Sequence, residues 1–136
     1  MNDAMVVFAA LDRRLALECR TLILRDYAVQ VRIGIHDFER ATPQRMLFDV
    51  DLCVPLDHAP ARHDDIGQTL DYDFLRTLIA RLAHQTHFEI QETLCDAILN
   101  ELLTHPQVQA ARVTTRKPDV YPDCAAVGTQ RVGIKP

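Results

Sequence analysis

Apolar and polar residues alternate along two long stretches of the chain. In the first, Tyr27, Val29, Val31, Ile33 and Ile35 alternate with Ala28, Gln30, Arg32 and Gly34; in the second, Met46, Phe48, Val50, Leu52 and Val54 alternate with Leu47, Asp49, Asp51 and Cys53. A period of two predicts strands with one buried face. Residues 36–43 are short enough to join antiparallel neighbours, and residues 55–67, with two prolines and three aspartates, read as a connecting loop. The period then changes. Phe74, Leu75, Leu78, Ile79 and Leu82 fall on one helical stripe, with Asp71 or Thr69 placed to cap its start. A second stripe, Ile90, Leu94, Ala97, Ile98 and Leu102, follows a polar break at residues 84–87 and stops near Thr104-His105-Pro106. Weaker strand signals cover residues 108–115 and 127–134, separated by Lys117-Pro118 and Tyr121-Pro122. The predicted order is β-β-α-α-β-β, an α+β arrangement with two helices covering one face of the sheet. Residues 1–19 are read as an N-terminal extension: Val6, Phe8, Leu11 and Leu15 fit a short helix, an untethered tail fits as well, and no chemistry is assigned there.

Composition narrows the class. The chain has 136 residues, 48% of them hydrophobic and 25% charged, as expected of one globular domain. Its net charge of -4 provides no broad basic surface for phosphates, so nucleic acid is not expected as a partner. Cys19, Cys53, Cys95 and Cys124 stand singly with no Cys-x-x-Cys pair, which suits reduced structural thiols better than a zinc or redox motif. The apolar run from Ala4 to Leu11 is short, follows Asp3 and meets Asp12-Arg13-Arg14, which fits neither a signal peptide nor a membrane span; a cytoplasmic location is expected. His84 and His87 have no third ligand in suitable spacing, so no metal site is read, and neither a glycine-rich phosphate loop nor a Ser-His-Asp arrangement is visible.

Four residues in distinctive settings remain. Glu39 lies in Ile33-Gly34-Ile35-His36-Asp37-Phe38-Glu39-Arg40, Tyr72 in Thr69-Leu70-Asp71-Tyr72, Glu92 in Phe88-Glu89-Ile90-Gln91-Glu92-Thr93-Leu94, and Lys117 in Arg116-Lys117-Pro118. Each has an ordinary reading: a polar turn glutamate, a part-buried tyrosine with a wet hydroxyl, a carboxylate favoured at a helix N-terminus, and a solvated lysine at a strand end. His36, beside the Glu39 loop, reads as an ordinary loop histidine.

In this order and at these separations the four motifs resemble the dihydroneopterin aldolase family of folate biosynthesis, over about residues 21–134. The resemblance implies the tunnelling fold for residues 20–136, with four-stranded antiparallel sheets that join side by side into oligomeric barrels, a homo-tetramer or homo-octamer. It implies a small-molecule pterin substrate, no cofactor and no metal. Lys117 with a bound water would move protons, supported by Glu39, and Tyr72 would reach into a neighbouring subunit's site. Glu92 would bind the ring, with Gln91, Leu70 and Asp71 as further substrate-binding positions. Such a carboxylate accepts paired hydrogen bonds from the ring amide and the exocyclic amine. The chain departs from the family at Gln91, where an aliphatic residue is usual, and in the polar run of residues 119–123 with Cys124. The implied activity is cleavage of 7,8-dihydroneopterin, with epimerisation as a second activity. The alternatives are an epimerase of dihydroneopterin triphosphate, disfavoured by the acidic Asp57, Asp64, Asp65, Asp119 and Asp123, and a non-catalytic pterin-binding ring.

Overall fold

The computed structural model describes residues 3–56, 64 and 70–136. In chain order it contains helices α1 (Ala4–Leu11) and α2 (Arg13–Leu17), strand β1 (Cys19–Val31), the one-turn helix α3 (Asp37–Ala41), strand β2 (Gln44–Pro55), helices α4 (Asp73–Ala83) and α5 (Gln91–Leu103), and strands β3 (Ala110–Lys117) and β4 (Val127–Ile134). The strands form one antiparallel sheet in the order β1-β2-β3-β4. The expected loop over residues 55–67 and a cap from Thr69 lie largely or wholly outside the described residues.

Alternation along β2 sends Met46, Phe48, Val50, Leu52 and Val54 to one face, where α4 and α5 cover them with Leu75, Ile79, Leu94, Ile98 and Leu102. β1 begins at Cys19, well before the alternation detected from Tyr27, and ends at Val31. The earlier half is hidden in the sequence because its parity is reversed: Leu22 and Leu24 face the core, as do Val29 and Val31. A bulge between Leu24 and Tyr27 makes the switch, with Asp26 at φ 55° and its amide donating to Asp49 Oδ1 at 2.7 Å. One extra residue turns a strand over, and aspartate tolerates the left-handed conformation better than most side chains. Beyond Val31, Ile33 keeps a parallel bridge to Phe88, whereas Ile35 is exposed.

The helices differ from expectation at their starts. Tyr72 is the N-cap of α4 and makes no side-chain cap bond; Asp71 instead accepts from the Asp73 amide at 3.0 Å. Ile90 precedes α5 as its exposed N-cap, so the buried stripe starts at Gln91 and continues through Leu94, Cys95 and Ile98, with Ala97 half-buried at its edge. Residues 36–43 contain a turn of helix rather than a plain loop, and β3 starts at Ala110, two positions after the buried Val108.

The N-terminal residues form helix rather than a loose tail. Phe8, Ala4 and Leu15 pack on Cys19, Cys53, Ala110 and Val132. Cys53 and Ala110 alternate with core-facing neighbours, so α1 and α2 cover one end of the opposite sheet face. Further along that face the nearly fully buried Asp51 accepts from Arg25 Nη2 at 2.6 Å and Arg112 Nε at 3.0 Å. No helix among the described residues is long and apolar enough to cross a membrane.

Candidate active site

The site is assembled where β1 leaves the sheet. Gly34 has φ 122°, a conformation that side chains rarely adopt, and its amide donates to Phe88 O at 2.8 Å. A Cβ on Gly34 would collide with the Glu39 carboxylate, so the glycine opens the space that this group occupies. Helix α3 then turns Glu39 back over the strand end, where only 4% of the residue is exposed.

Lys117 approaches from the other side. It closes β3 on the same face as Ala111, Val113 and Thr115, so strand parity carries it inward, and it is 8% exposed. Its Nζ donates to Glu39 Oε2 at 2.8 Å, and Gln44 Nε2 donates to the same oxygen at 2.8 Å and to Ile33 O at 2.9 Å. The His36 amide makes a longer contact with Glu39 Oε1, at 3.4 Å. Burial pushes the Glu39 carboxyl up, but the hydrogen bonds from Lys117 and Gln44, the lysine charge and the His36 amide outweigh it and hold its pKa below the ordinary value.

The third wall is the start of α5. Glu92 is exposed in the first helical turn, with its charge favoured by the helix dipole. The neighbouring Gln91 turns inward, where its Oε1 accepts from Thr115 Oγ1 at 2.8 Å and its Nε2 donates to Val127 O at 3.3 Å, tying the helix start to the ends of β3 and β4. Lys117, Glu39, Gln91 and Glu92 thus line one cleft of about 150 Å³, together with Gly34, Ile35, His36, Glu89, Ile90, Val120, Tyr121 and Val127. Glu89 is paired with Arg40 at 2.8 Å across the rim, and the His36 ring stacks on Phe38.

Not every expected residue converges there. Tyr72 is 59% exposed, Asp71 is bonded to its own helix start, and the Leu70 side chain is buried in the main core. None of these three lines the cleft within one chain. His84 and His87 contact the Gln30 and Gly34 carbonyls at 2.9 and 3.0 Å. A larger cavity of about 650 Å³ between α2 and the sheet end contains none of the four motif residues. Convergence of reactive groups, rather than volume, identifies the smaller cleft. Cys95 is structural: burial foremost pushes its thiol up to about 11.

The sequence reading missed Gln44, Thr115 and Tyr121 as parts of the site and assigned Gly34 no role. The parity of Thr115 and Lys117 with Val113 was a usable signal for an inward lysine. The reach of Gln44 to Glu39 had none, because it depends on how α3 folds back.

An α+β sheet with its main core under α4 and α5, ending in a cleft with a buried lysine–glutamate pair and an exposed helix-start carboxylate, defines a small-molecule enzyme of the acid–base type. The chain belongs to the dihydroneopterin aldolase family: residues 22–132 match the family model described as FolB, dihydroneopterin aldolase. Among solved structures it resembles the dihydroneopterin aldolase from Burkholderia thailendensis bound to guanine, with 44% identity, a TM-score of 0.83, and coverage of 94% of this chain and 100% of that one. It also resembles the Escherichia coli dihydroneopterin aldolase in complex with neopterin, at 20% identity and a TM-score of 0.77, covering 84% of this chain and 98% of that one. The curated Escherichia coli K12 dihydroneopterin aldolase is 22% identical over 107 residues, 79% of this chain and 87% of that protein. The fold is the tunnelling fold of this family, and the protein is a lyase.

Proposed function

We propose that the chain cleaves the side-chain carbon–carbon bond of 7,8-dihydroneopterin, releasing glycolaldehyde and 6-hydroxymethyl-7,8-dihydropterin. Removal of a proton from the side-chain hydroxyl beyond the scissile bond lets that oxygen become the aldehyde of glycolaldehyde. The bonding pair moves toward the ring C=N, and the carbon left on the ring is then protonated to hydroxymethyl. Because the substrate supplies the electron sink, neither a lysine Schiff base nor a cofactor is needed. Lys117 with a bound water moves the protons, and Glu39 holds the ammonium in place. Glu92 accepts hydrogen bonds from the pterin edge, with the Gln91 backbone beside it.

The observation that carries this reading is the buried 2.8 Å pair between Lys117 Nζ and Glu39 Oε2 in the cleft onto which Glu92 opens. The relatives bound to guanine and neopterin support a pterin ligand. Unphosphorylated substrate is favoured over the triphosphate because the cleft is lined by Glu39, Glu89 and Glu92 against Lys117, with Asp119 and Asp123 exposed on the adjoining turn. A non-catalytic ring would need Glu92 but not the buried pair. Rejoining of bound fragments with opposite facial selectivity would yield the epimer.

Tyr72 is assigned to the site of a neighbouring subunit in a homo-oligomeric ring, tetramer or octamer, in which β1 and β4 edges pair. The catalytic unit is residues 20–136, in the cytoplasm, with residues 1–19 as an extension. A turnover assay with dihydroneopterin and its triphosphate, comparing native protein with Lys117→Ala, tests the reading. Turnover of dihydroneopterin should fall at least ~10²-fold in the variant, with pterin affinity within about tenfold of native. Near-normal turnover by the variant would refute the role of Lys117.

A further inference from the structure

Within one chain, carboxylate and backbone groups on α5 account for the edge of a pterin but not for its flat faces. The turn after Lys117 offers a partner for them. Tyr121 lines the same cleft as Glu92 and Lys117, and 52% of it is exposed, so its ring is accessible from the cleft. The apolar Val120 and Ile90 line the cleft beside it.

The turn is restrained from both ends. Pro118 and Pro122 flank the segment, and Tyr121, preceding Pro122, is biased toward extended backbone. The Cys124 amide donates to Tyr121 O at 3.5 Å, and Asp119 pairs with Arg45 on β2 at 3.6 Å. A tyrosine has two χ angles to order, so a restrained turn presents its ring at low entropic cost.

We propose that Tyr121 is a substrate-binding residue whose ring stacks on the face of the pterin while Glu92 holds the edge. The inference rests on the pterin reading above. Stacking of a base-like heterocycle on an aromatic side chain is commonly worth about a factor of ten in affinity. The phenol oxygen has no part in this role; the ring does.

The test compares native protein, Tyr121→Phe and Tyr121→Ala by titration with neopterin and by steady-state turnover. Tyr121→Ala should weaken neopterin binding and raise KM about tenfold with kcat within about twofold, and Tyr121→Phe should restore both. Thermal unfolding should be unchanged in both variants, because the residue is exposed. Native-like binding by Tyr121→Ala would overturn the inference, as would a loss of kcat in Tyr121→Phe, which would make the hydroxyl the working group. If native protein neither binds neopterin nor turns over dihydroneopterin, the pterin reading fails and this inference fails with it. Binding and turnover by native protein with no effect of Tyr121→Ala would fault Tyr121 alone.

Discussion

Glu39 shows how a single residue changes meaning between sequence and structure. In the sequence it is one polar residue of a turn; in the fold its carboxylate is enclosed by Lys117, Gln44 and the space left by Gly34. Its lowered pKa has a consequence for stability. A carboxyl whose folded pKa lies below its unfolded value stabilises the native state fully above the unfolded pKa, near the ordinary 4.5, and loses that contribution as pH falls through the folded pKa. Glu39→Gln should therefore destabilise the protein by about 1–3 kcal/mol at neutral pH, with a difference that shrinks below that range. Denaturant unfolding of both proteins at neutral and acid pH measures it, and a pH-independent gap would contradict the charged pair. Glu92 should fail differently. Glu92→Gln removes a charge-assisted acceptor of roughly 1.5–3 kcal/mol, so neopterin binding should weaken about tenfold or more in a titration while the unfolding curve stays in place. Glu92 is legible from sequence once the helix is placed, because it lies one residue past the first inward position. Gln44 is not, since nothing in its neighbours marks its contact with Glu39.

Among elements, β2 follows directly from its pattern, whereas β1 does not. Its two halves obey the same alternation but are offset by the bulge at Asp26, so a single-period reading recovers only the later half. The stripe of α5 starts one residue later than periodicity predicts because Ile90, apolar and in approximate phase, precedes the first helical residue; its backbone is extended and it lies half-exposed at the cleft. For α1 and α2 the sequence fits a short helix and a tail equally. Their apolar residues are few, and what decides the matter is the patch formed by Cys53, Ala110 and Val132, three residues from three strands. Phe8 is fully buried there, so Phe8→Ala should cost about 3 kcal/mol in denaturant unfolding. An unchanged midpoint would mean that the helices contribute nothing to the folded state.

At the scale of the whole molecule, one chain gathers Lys117, Glu39 and Glu92 in one cleft but leaves Tyr72 on its surface, outside the cleft lining. Among the described residues the sheet also ends in two strands, β1 and β4, each with no strand paired on its outer edge. Together these features argue for a site completed by assembly. Tyr72→Phe should spare neopterin binding and lower turnover. Mixing Tyr72→Phe with Lys117→Ala chains, unfolded and refolded together, should regenerate some sites carrying both native residues. Activity well above either parent is the expected result; co-assembled but inactive mixtures would show that each site is built within one chain.

The four strands, α4 and α5, their order, and the sheet face that these two helices cover follow from local periodicity, because each depends on residues two to four positions apart. The four motifs also carried the family resemblance, since their order and spacing survive in the linear chain. Convergence of Glu39, Gln44, Lys117 and Glu92 came only with tertiary structure: Lys117 and Glu39 are 78 positions apart and meet because β3 and the start of α3 end at the same corner of the sheet. The same holds for Asp51. Its place among alternating polar positions suggested solvent, but two arginines from neighbouring strands enclose it, and the resulting ion pairs depend on cross-strand register that no local pattern encodes.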